Sequence, residues 1–196
     1  MKKVYYLLSM LLVLSLGINY MAAQTIGQQT LSKKEIRKAR RQAHEKFMEQ
    51  QNQLAFEQAV QALKEQSFVV EVDQLIFPRG MTKFVSSMTN FVSVNDGDAV
   101  LQITTSNFNP GPNGIGGVTV DGNISGMKTE TDKDGNIHCS FGIQGVGISA
   151  EVFVTLYYGS NEANVTVSPN FNSNTLSMSG EMVSIDDSTI FKGYAY

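Results

Sequence analysis

Residues 109–117 form a glycine-rich segment, Asn-Pro-Gly-Pro-Asn-Gly-Ile-Gly-Gly, that has the composition of a binding loop. Phosphate-binding loops use glycines so that backbone N–H groups can approach an anion, but a helix follows them and Lys with Ser or Thr accompanies them. Here Val118-Thr119-Val120 follows, which is typical of a strand and argues against a nucleotide. We predict a shaped loop at the rim of a β-structure that borders any ligand site. Its candidate ligand-binding residues are Asn109, Asn113, Gly114, Gly116 and Gly117.

Asp132-Lys133-Asp134-Gly135-Asn136 resembles the opening of a calcium-binding loop, in which alternate side-chain oxygens converge on one hard cation. An EF-hand loop also needs Glu at its twelfth position, where this chain has Ile143. The two histidines, His44 and His138, lack the close spacing of zinc ligands. We therefore predict an acidic hairpin turn, with no metal site and no cofactor.

The sequence contains no pattern typical of a catalytic site. No serine lies in a Gly-x-Ser-x-Gly motif. Cys139 is the only cysteine, which excludes an intrachain disulfide, and its alternation with Ile137 and Phe141 predicts a buried, inert thiol. Hydrolysis would need a pair of carboxylates about 5–10 Å apart across a cleft, for which Glu151 and Glu181 are candidates. We expect a protein that is not an enzyme.

The amino terminus has the pattern of a secretory signal. Lys2 and Lys3 precede an apolar run from Val4 to Leu16, and Met21-Ala22-Ala23 supplies the small residues of a cleavage site. This run is shorter than the roughly 20 apolar residues that a membrane-spanning helix needs. We predict a signal peptide over residues 1–23, cleaved near Ala23, and an exported protein that works in the periplasm in preference to the medium.

The rest of the chain consists of two differently charged parts. Gln24 to Gln66 contains eight Lys or Arg and five Glu, a charge of +3, whereas Ser67 to Tyr196 contains five Lys or Arg and thirteen Asp or Glu, a charge of −8. The acidic second part would repel phosphates, which argues against a nucleic-acid partner.

A long helix is predicted from Ser32 to about Glu65. Ser32 and Glu35 fit a capping box, in which each side chain accepts a hydrogen bond from the other residue's backbone N–H. Apolar residues on one helical face predict that residues 54–65 dock on the β-domain of residues 54–196, whereas residues 24–53 form a charged arm. The docking face consists of Phe56, Ala59, Val60 and Leu63.

The arm carries a basic run that could contact an envelope protein or an anionic surface. The alternative is a solvated helix face without a partner. The candidate partner-binding residues are Arg37, Lys38, Arg40 and Arg41.

From Ser67 the apolar period changes from 3.6 to 2, and nine or ten short antiparallel strands follow. Turn signals at Asn95-Asp96-Gly97-Asp98 and Asp121-Gly122 predict two hairpins, and Ser188 to Tyr194 is predicted as the last strand. In Ile148 to Tyr158, alternation places Val152, Val154, Leu156 and Tyr158 on one face. The pattern predicts a mainly β fold, a single antiparallel meander closed into a small barrel, with a two-sheet sandwich as the alternative.

Three segments resemble domain-of-unknown-function family 4251 of exported bacterial proteins. They are Thr89-Asn90-Phe91-Val92, residues 113–119, and Lys192-Gly193, and the resemblance extends over Leu54 to Tyr196. It includes the helix before Phe68-Val69-Val70 and the strand positions Gly122 and Gly180. The resemblance implies a fold similar to lipocalin-type barrels, and it implies no activity and no catalytic residues.

Two functional hypotheses follow from these observations. The first is a non-catalytic exported binding module that holds a small apolar or amphipathic ligand inside the barrel, because barrels of about eight strands either fill with side chains or hold one ligand. The second is a structural or interaction protein of the envelope that acts through its basic arm. The sequence leaves the ligand, the partner and the oligomeric state open.

Overall fold

The computed structural model of this 196-residue chain describes residues 32–77, 80–104, 114–146, 148–170 and 175–195. The chain divides after Glu45 into a first unit, of which residues 32–45 are described, and a second unit, Lys46–Tyr196. The predicted signal peptide lies outside the described residues, as do Asn109 and Asn113 of the glycine-rich segment.

Helix α1 spans Lys33–Lys64 and begins with the predicted capping box. The backbone N–H of Ser32 donates to Glu35 Oε2 at 2.7 Å, and the N–H of Glu35 donates to Ser32 Oγ at 3.3 Å. The bond from the Ser32 backbone N–H is the largest cause that lowers the pKa of Glu35, because it stabilises the charged carboxylate. In the second unit, Phe56, Ala59 and Leu63 are buried in the same apolar cluster as the strands. None of the helical residues described here forms a stretch long and apolar enough to cross a membrane.

The strands are β1 Ser67–Ile76, β2 Thr82–Phe84, β3 Phe91–Asn95, β4 Asp98–Thr104, β5 Gly117–Thr131, β6 Ile137–Gly145, β7 Ile148–Leu156, β8 Glu162–Pro169 and β9 Leu176–Ser184. Eight of them, β1 and β3 to β9, close into an antiparallel barrel. Each strand pairs with its neighbour along the chain from β3 to β9, β1 pairs with β3, and β9 returns to pair with β1. Strand β2 extends the pairing of β1 beyond the end of β3, because β3 pairs with Ser67–Glu71 and β2 with Gln74–Ile76. The predicted barrel is therefore confirmed, and the alternative of a two-sheet sandwich is not.

One predicted hairpin is present and the other is wrong. Asp96 and Gly97 have positive φ values of 47° and 88° and form the β3–β4 turn, as predicted. Asp121-Gly122 instead lies inside the continuous strand β5. A Cβ at Gly122 would lie 2.9 Å from Ile143 Cγ1, so this glycine permits close approach of two strands and does not make a turn.

The predicted last strand, Ser188 to Tyr194, is also wrong. Residues 188–195 are irregular, and no edge of the closed barrel is free to pair with them, since β9 already pairs with both β8 and β1. The short strand β2 was missed because its three residues are all exposed and give no alternation signal.

The inward-facing side chains fill the barrel. They form one buried cluster, and of its members only Ala99 also lines the cleft of the outer wall. Cys139 is buried among them, as predicted, and this burial raises the pKa of its thiol. The packed interior therefore argues against the hypothesis that a ligand lies inside the barrel. The largest fully buried members are Phe68, Val70, Val72, Leu75, Val92, Val94, Leu156, Met178 and Met182.

Candidate functional site

The C-terminal strap, residues 185–195, crosses the outer wall of β1, β3, β4 and β5. It begins with a turn in which Ser184 Oγ donates to Asp187 Oδ2 at 2.7 Å. Further on, the Thr189 N–H donates to Glu71 Oε1 at 2.6 Å, and the Phe191 N–H donates to the carbonyl of Met88 at 2.7 Å. The strap is therefore held by specific hydrogen bonds to the barrel and not by sheet pairing.

Gln102 is the central anchor of the strap. Its side chain points outward from β4 and is fully buried. Its amide Nε2 donates to the carbonyls of Phe191 at 2.7 Å and Thr89 at 3.1 Å. Its Oε1 accepts from Thr119 Oγ1 at 2.7 Å and from the Gly193 N–H at 2.8 Å. Because every donor and acceptor of this amide is used, the network fixes one position of the strap.

A cleft of about 640 Å³ lies between the strap and the outer wall, within the second unit. It is thus within the roughly 300–1,000 Å³ typical of small-molecule sites. The apolar part of its lining comes from the wall, from the β6–β7 turn and from the strap. These apolar residues are Val69, Ala99, Val100, Val146, Ile185 and Ile190.

Charged and polar side chains also line this cleft. Lys192 Nζ of the strap donates to Asp121 Oδ2 of β5 at 2.7 Å. Asp121 Oδ1 is shielded from solvent and has no hydrogen-bond partner among the described residues. Asp98 Oδ1 accepts from Asn123 Nδ2 at 2.7 Å. The cleft therefore combines an apolar lining with the Lys192–Asp121 ion pair and the Asp98–Asn123 hydrogen bond.

A family model described as "Domain of unknown function (DUF4251)" matches residues 50–182. The chain belongs to the DUF4251 family. A solved structure of a DUF4251 family protein from Bacteroides eggerthii is 53% identical, and the match covers 76% of this chain and 99% of that chain with a TM-score of 0.64. No curated protein matches.

Positions that carry the resemblance to DUF4251 meet in the strap network. Thr119 and Gly193 both bond to Gln102, and Lys192 bonds to Asp121. Asn90 is buried beside them, where its Oδ1 accepts from the Thr104 N–H at 2.7 Å. The family resemblance already included Asn90, Thr119, Lys192 and Gly193, but the sequence did not indicate that they hold a strap.

The described glycines of the glycine-rich segment do not line the cleft. Gly114 and Gly116 have positive φ values of 77° and 93°, and Gly117 begins β5. A Cβ at Gly114 would lie 3.2 Å from the ring of Tyr194, and one at Gly117 would collide with the carbonyl of Ile103. These residues shape the end of β5 near the strap's last residues, and their predicted ligand role stays a prediction.

The basic residues of the arm are exposed on α1. Arg37, Lys38 and Arg40 are exposed, and Arg41 Nε lies 3.0 Å from Glu45 Oε1 one helical turn away. Such an exposed pair contributes little stability. Their predicted partner role stays a prediction.

Asp132 organises the predicted acidic turn. Its Oδ1 accepts from the backbone N–H groups of Asp134 and Asn136, and its Oδ2 accepts from the Asn136 side chain, each at 2.9 Å. His138 Nε2 lies 3.1 Å from Oδ2. The Asn136 side-chain bond is the largest cause that lowers the pKa of Asp132 to about 2. Within the described ranges, no group of three or more acidic, His or Cys side chains could hold a metal ion.

The two candidate carboxylates for hydrolysis are not neighbours. Glu151 pairs with Ser168 of β8, whereas Glu181 pairs with Glu162 of β8, six residues away along that strand. That spacing corresponds to about 20 Å. Glu181 instead lies opposite Glu71 of β1, whose carboxylate binds the strap.

Proposed function

We propose that this DUF4251 protein is an exported, non-catalytic binding module that holds one small amphipathic molecule in the cleft beneath its C-terminal strap. The single observation that carries the proposal is the cleft itself, with apolar walls, polar and charged groups in its lining and room for a small ligand. Its composition is that of small-molecule sites, in which a few polar groups orient a ligand held mainly by apolar contact.

The packing of the barrel interior favours the outer wall as the region where a ligand binds. A ligand in the interior would have to displace buried side chains such as Phe68 and Leu156, and their packing would be lost. The cleft needs no such rearrangement, because the space between the strap and the outer wall is already open.

Export is supported by the sequence pattern of residues 1–23. We expect the protein isolated from its native host to begin near Gln24 and to be recovered in the periplasmic fraction. Mass determination of the intact chain measures the first, and fractionation with compartment markers measures the second. A full-length chain in the cytoplasmic fraction would contradict export.

Ligand binding is tested with a neutral hydrophobic dye such as Nile red and with a variant that fills the cleft. We expect Val100→Phe to weaken dye binding at least about tenfold, because the larger ring occupies the apolar wall. The matched control is Val118→Phe, an exposed position outside the cleft, which should bind the dye as the unchanged protein does. Equal binding by both variants would place the dye elsewhere and contradict the proposal.

A second function, contact of the arm with an envelope protein or anionic surface, is favoured by the exposure of Arg37, Lys38 and Arg40. We expect reversal of these three charges to Glu to abolish association with anionic vesicles or envelope fractions while the circular dichroism spectrum stays unchanged. Association that survives the reversal would contradict this role.

A further inference from the structure

We propose that helix α1 pairs with α1 of a second copy of this chain, in antiparallel orientation, through a narrow apolar stripe. The inference goes beyond the proposed ligand site, because it concerns a different surface and a different partner. It follows from the spacing of the stripe, from its exposure and from the charged residues that share its face. The stripe consists of Ile36, Ala43, Phe47 and Leu54.

The stripe has the spacing of a coiled-coil seam. Its residues follow one another at intervals of seven, four and seven positions, which is the repeat of the a and d positions of a heptad. At 3.6 residues per turn they lie within about 40° of one another around the helix. Charged residues occupy the surrounding faces, so the apolar arc is too narrow for a helix that lies in a membrane interface and suits a pair of helices. These charged residues are Lys34, Glu35, Arg37, Lys38, Arg41, Glu45, Lys46 and Glu49.

The stripe is exposed, and the barrel packs on another face of the helix. Ile36 is 39% exposed, Phe47 57% and Leu54 51%. Phe56 and Leu63, which are buried in the barrel's apolar cluster, lie about half a turn around the helix from Leu54. A second helix can therefore reach Phe47 and Leu54 without displacing the contact between helix and barrel.

The polar residues of the seam select the antiparallel orientation. The same a and d positions include Lys33, Arg40, Gln50 and Glu57. A parallel pair in register would place Lys33 against Lys33 and Arg40 against Arg40, which is repulsive. An antiparallel pair about a two-fold axis beside Glu45 instead places Lys33 opposite Glu57 of the second copy, an attractive pair. It also places Arg40 opposite Gln50, whose side-chain oxygen can accept from the guanidinium.

The same axis also brings the apolar residues together. Ile36 precedes Glu45 by nine residues and Leu54 follows it by nine, so each meets the other across the axis. Ala43 and Phe47 are each two residues from Glu45, so the large ring lies opposite the small methyl group. One register therefore matches apolar with apolar, large with small and cation with anion, which is the self-complementarity that a two-fold interface requires.

The first test is the mass in solution of the protein and its variants, expressed in the native host, by sedimentation equilibrium over a concentration series. We expect a monomer–dimer equilibrium whose dissociation constant rises at least about tenfold in Phe47→Glu, because a charge enters the centre of the seam. Met48→Glu is the matched control. Met48 is 43% exposed but lies about 100° around the helix from Phe47, so its replacement should change the constant less than about threefold.

The second test is a charge exchange that reports the orientation. Lys33→Glu and Glu57→Lys should each raise the dissociation constant at least about threefold, because the two-fold axis repeats the pair. The double variant Lys33→Glu with Glu57→Lys should restore it to within about twofold. Since the two residues are about 36 Å apart along one helix, restoration requires the second copy.

Each test has an outcome that overturns the inference. A chain that stays a monomer at every concentration does so, as does equal weakening by Phe47→Glu and Met48→Glu with unchanged circular dichroism. A monomer that binds anionic vesicles through Phe47 would assign the stripe to a membrane surface instead. Single charge reversals that weaken pairing, without restoration in the double variant, would overturn the antiparallel register.

Discussion

The interior of the barrel and the outer wall at the strap both contain buried side chains, but the two sets differ in chemistry. The interior consists of aliphatic and aromatic side chains such as Phe68 and Leu156. The buried polar side chains of the described residues lie instead outside the barrel cluster, by the strap and its cleft, and are Asn90, Ser93, Gln102 and Thr119.

This contrast separates stability from specificity. Apolar burial is non-directional and scales with area, so the interior stabilises the fold without fixing any one contact. Buried hydrogen bonds are directional, and each unmade bond is costly, so the Gln102 network allows one register of the strap. The outer wall at the strap is therefore the region where a cleft of defined shape can form. Substitutions there can change the cleft without unfolding the barrel.

The largest expected effect lies in the interior. We expect Leu156→Ala to lower the free energy of unfolding by about 2–5 kcal/mol, because it removes a fully buried side chain and leaves a cavity. Urea denaturation measures the change. Phe153→Ala on the same strand is the matched control, since Phe153 faces outward and is 46% exposed, and it should cost about 1 kcal/mol or less. Equal costs at the two positions would contradict the division between interior and wall.

The next effect should release the strap and spare the barrel. Gln102→Leu removes four hydrogen bonds and leaves buried donors and acceptors unpaired, each at a cost of about 1–3 kcal/mol. We expect the amides of Phe191 and Gly193 to exchange hydrogen faster, while amides of β6 to β8 keep their protection. Hydrogen-exchange mass spectrometry measures both sets.

The control for strap release is Gln144→Leu, an exposed glutamine near the end of β6. It should change neither set of amides. If Gln102→Leu speeds exchange equally in the strap and in β6 to β8, the two regions unfold together and the proposed separation is wrong.

The sequence predicted the interior better than the wall for a physical reason. Alternation is local, so Val152, Val154 and Leu156 were assigned correctly to one buried face. The same rule wrongly included Tyr158, which is 61% exposed because β7 ends at Leu156 and the chain turns. Periodicity identifies a face but does not show where a strand stops.

The strap and its cleft depend on information that alternation does not carry. Thr189-Ile190-Phe191 has the pattern of a strand, and only the closure of the barrel by β1 and β9 denies it an edge. The cleft joins Val69, Val100, Asp121 and Ile190, which are far apart in sequence. Such a site is defined by topology and leaves no local sequence pattern. The ligand site was therefore predicted at the glycine-rich segment, which does have a recognisable composition.

A smaller effect is expected at the other anchor of the strap. Glu71 Oε1 accepts from the Thr189 N–H at 2.6 Å and from Thr189 Oγ1 at 3.2 Å. Glu71→Gln keeps an acceptor and removes the charge, so we expect a loss of about 1 kcal/mol or less and faster exchange of the Thr189 amide alone. Glu181→Gln, opposite Glu71 on β9, is the matched control. Faster exchange of the Gly193 amide as well would show that Glu71 and Gln102 do not hold the strap independently.

The smallest effect lies at Asp132, outside both regions, and tests whether the barrel's turns contribute independently of them. The pKa of Asp132 is lowered from 3.8 to about 2, chiefly by the hydrogen bond from the Asn136 side chain. The charged carboxylate therefore stabilises the folded protein at pH values above 3.8, and this stabilisation is lost as the pH falls toward about 2. We expect Asp132→Asn to be less stable than the unchanged protein at about pH 5 and to approach it near pH 2. Thermal melts across this range measure the convergence. Asp134→Asn removes a charge from the same turn without removing the side chain that organises it, and should not converge in this way. A constant difference between Asp132→Asn and the unchanged protein from about pH 5 to pH 2 would mean that this carboxylate has the same pKa in the folded and unfolded chains.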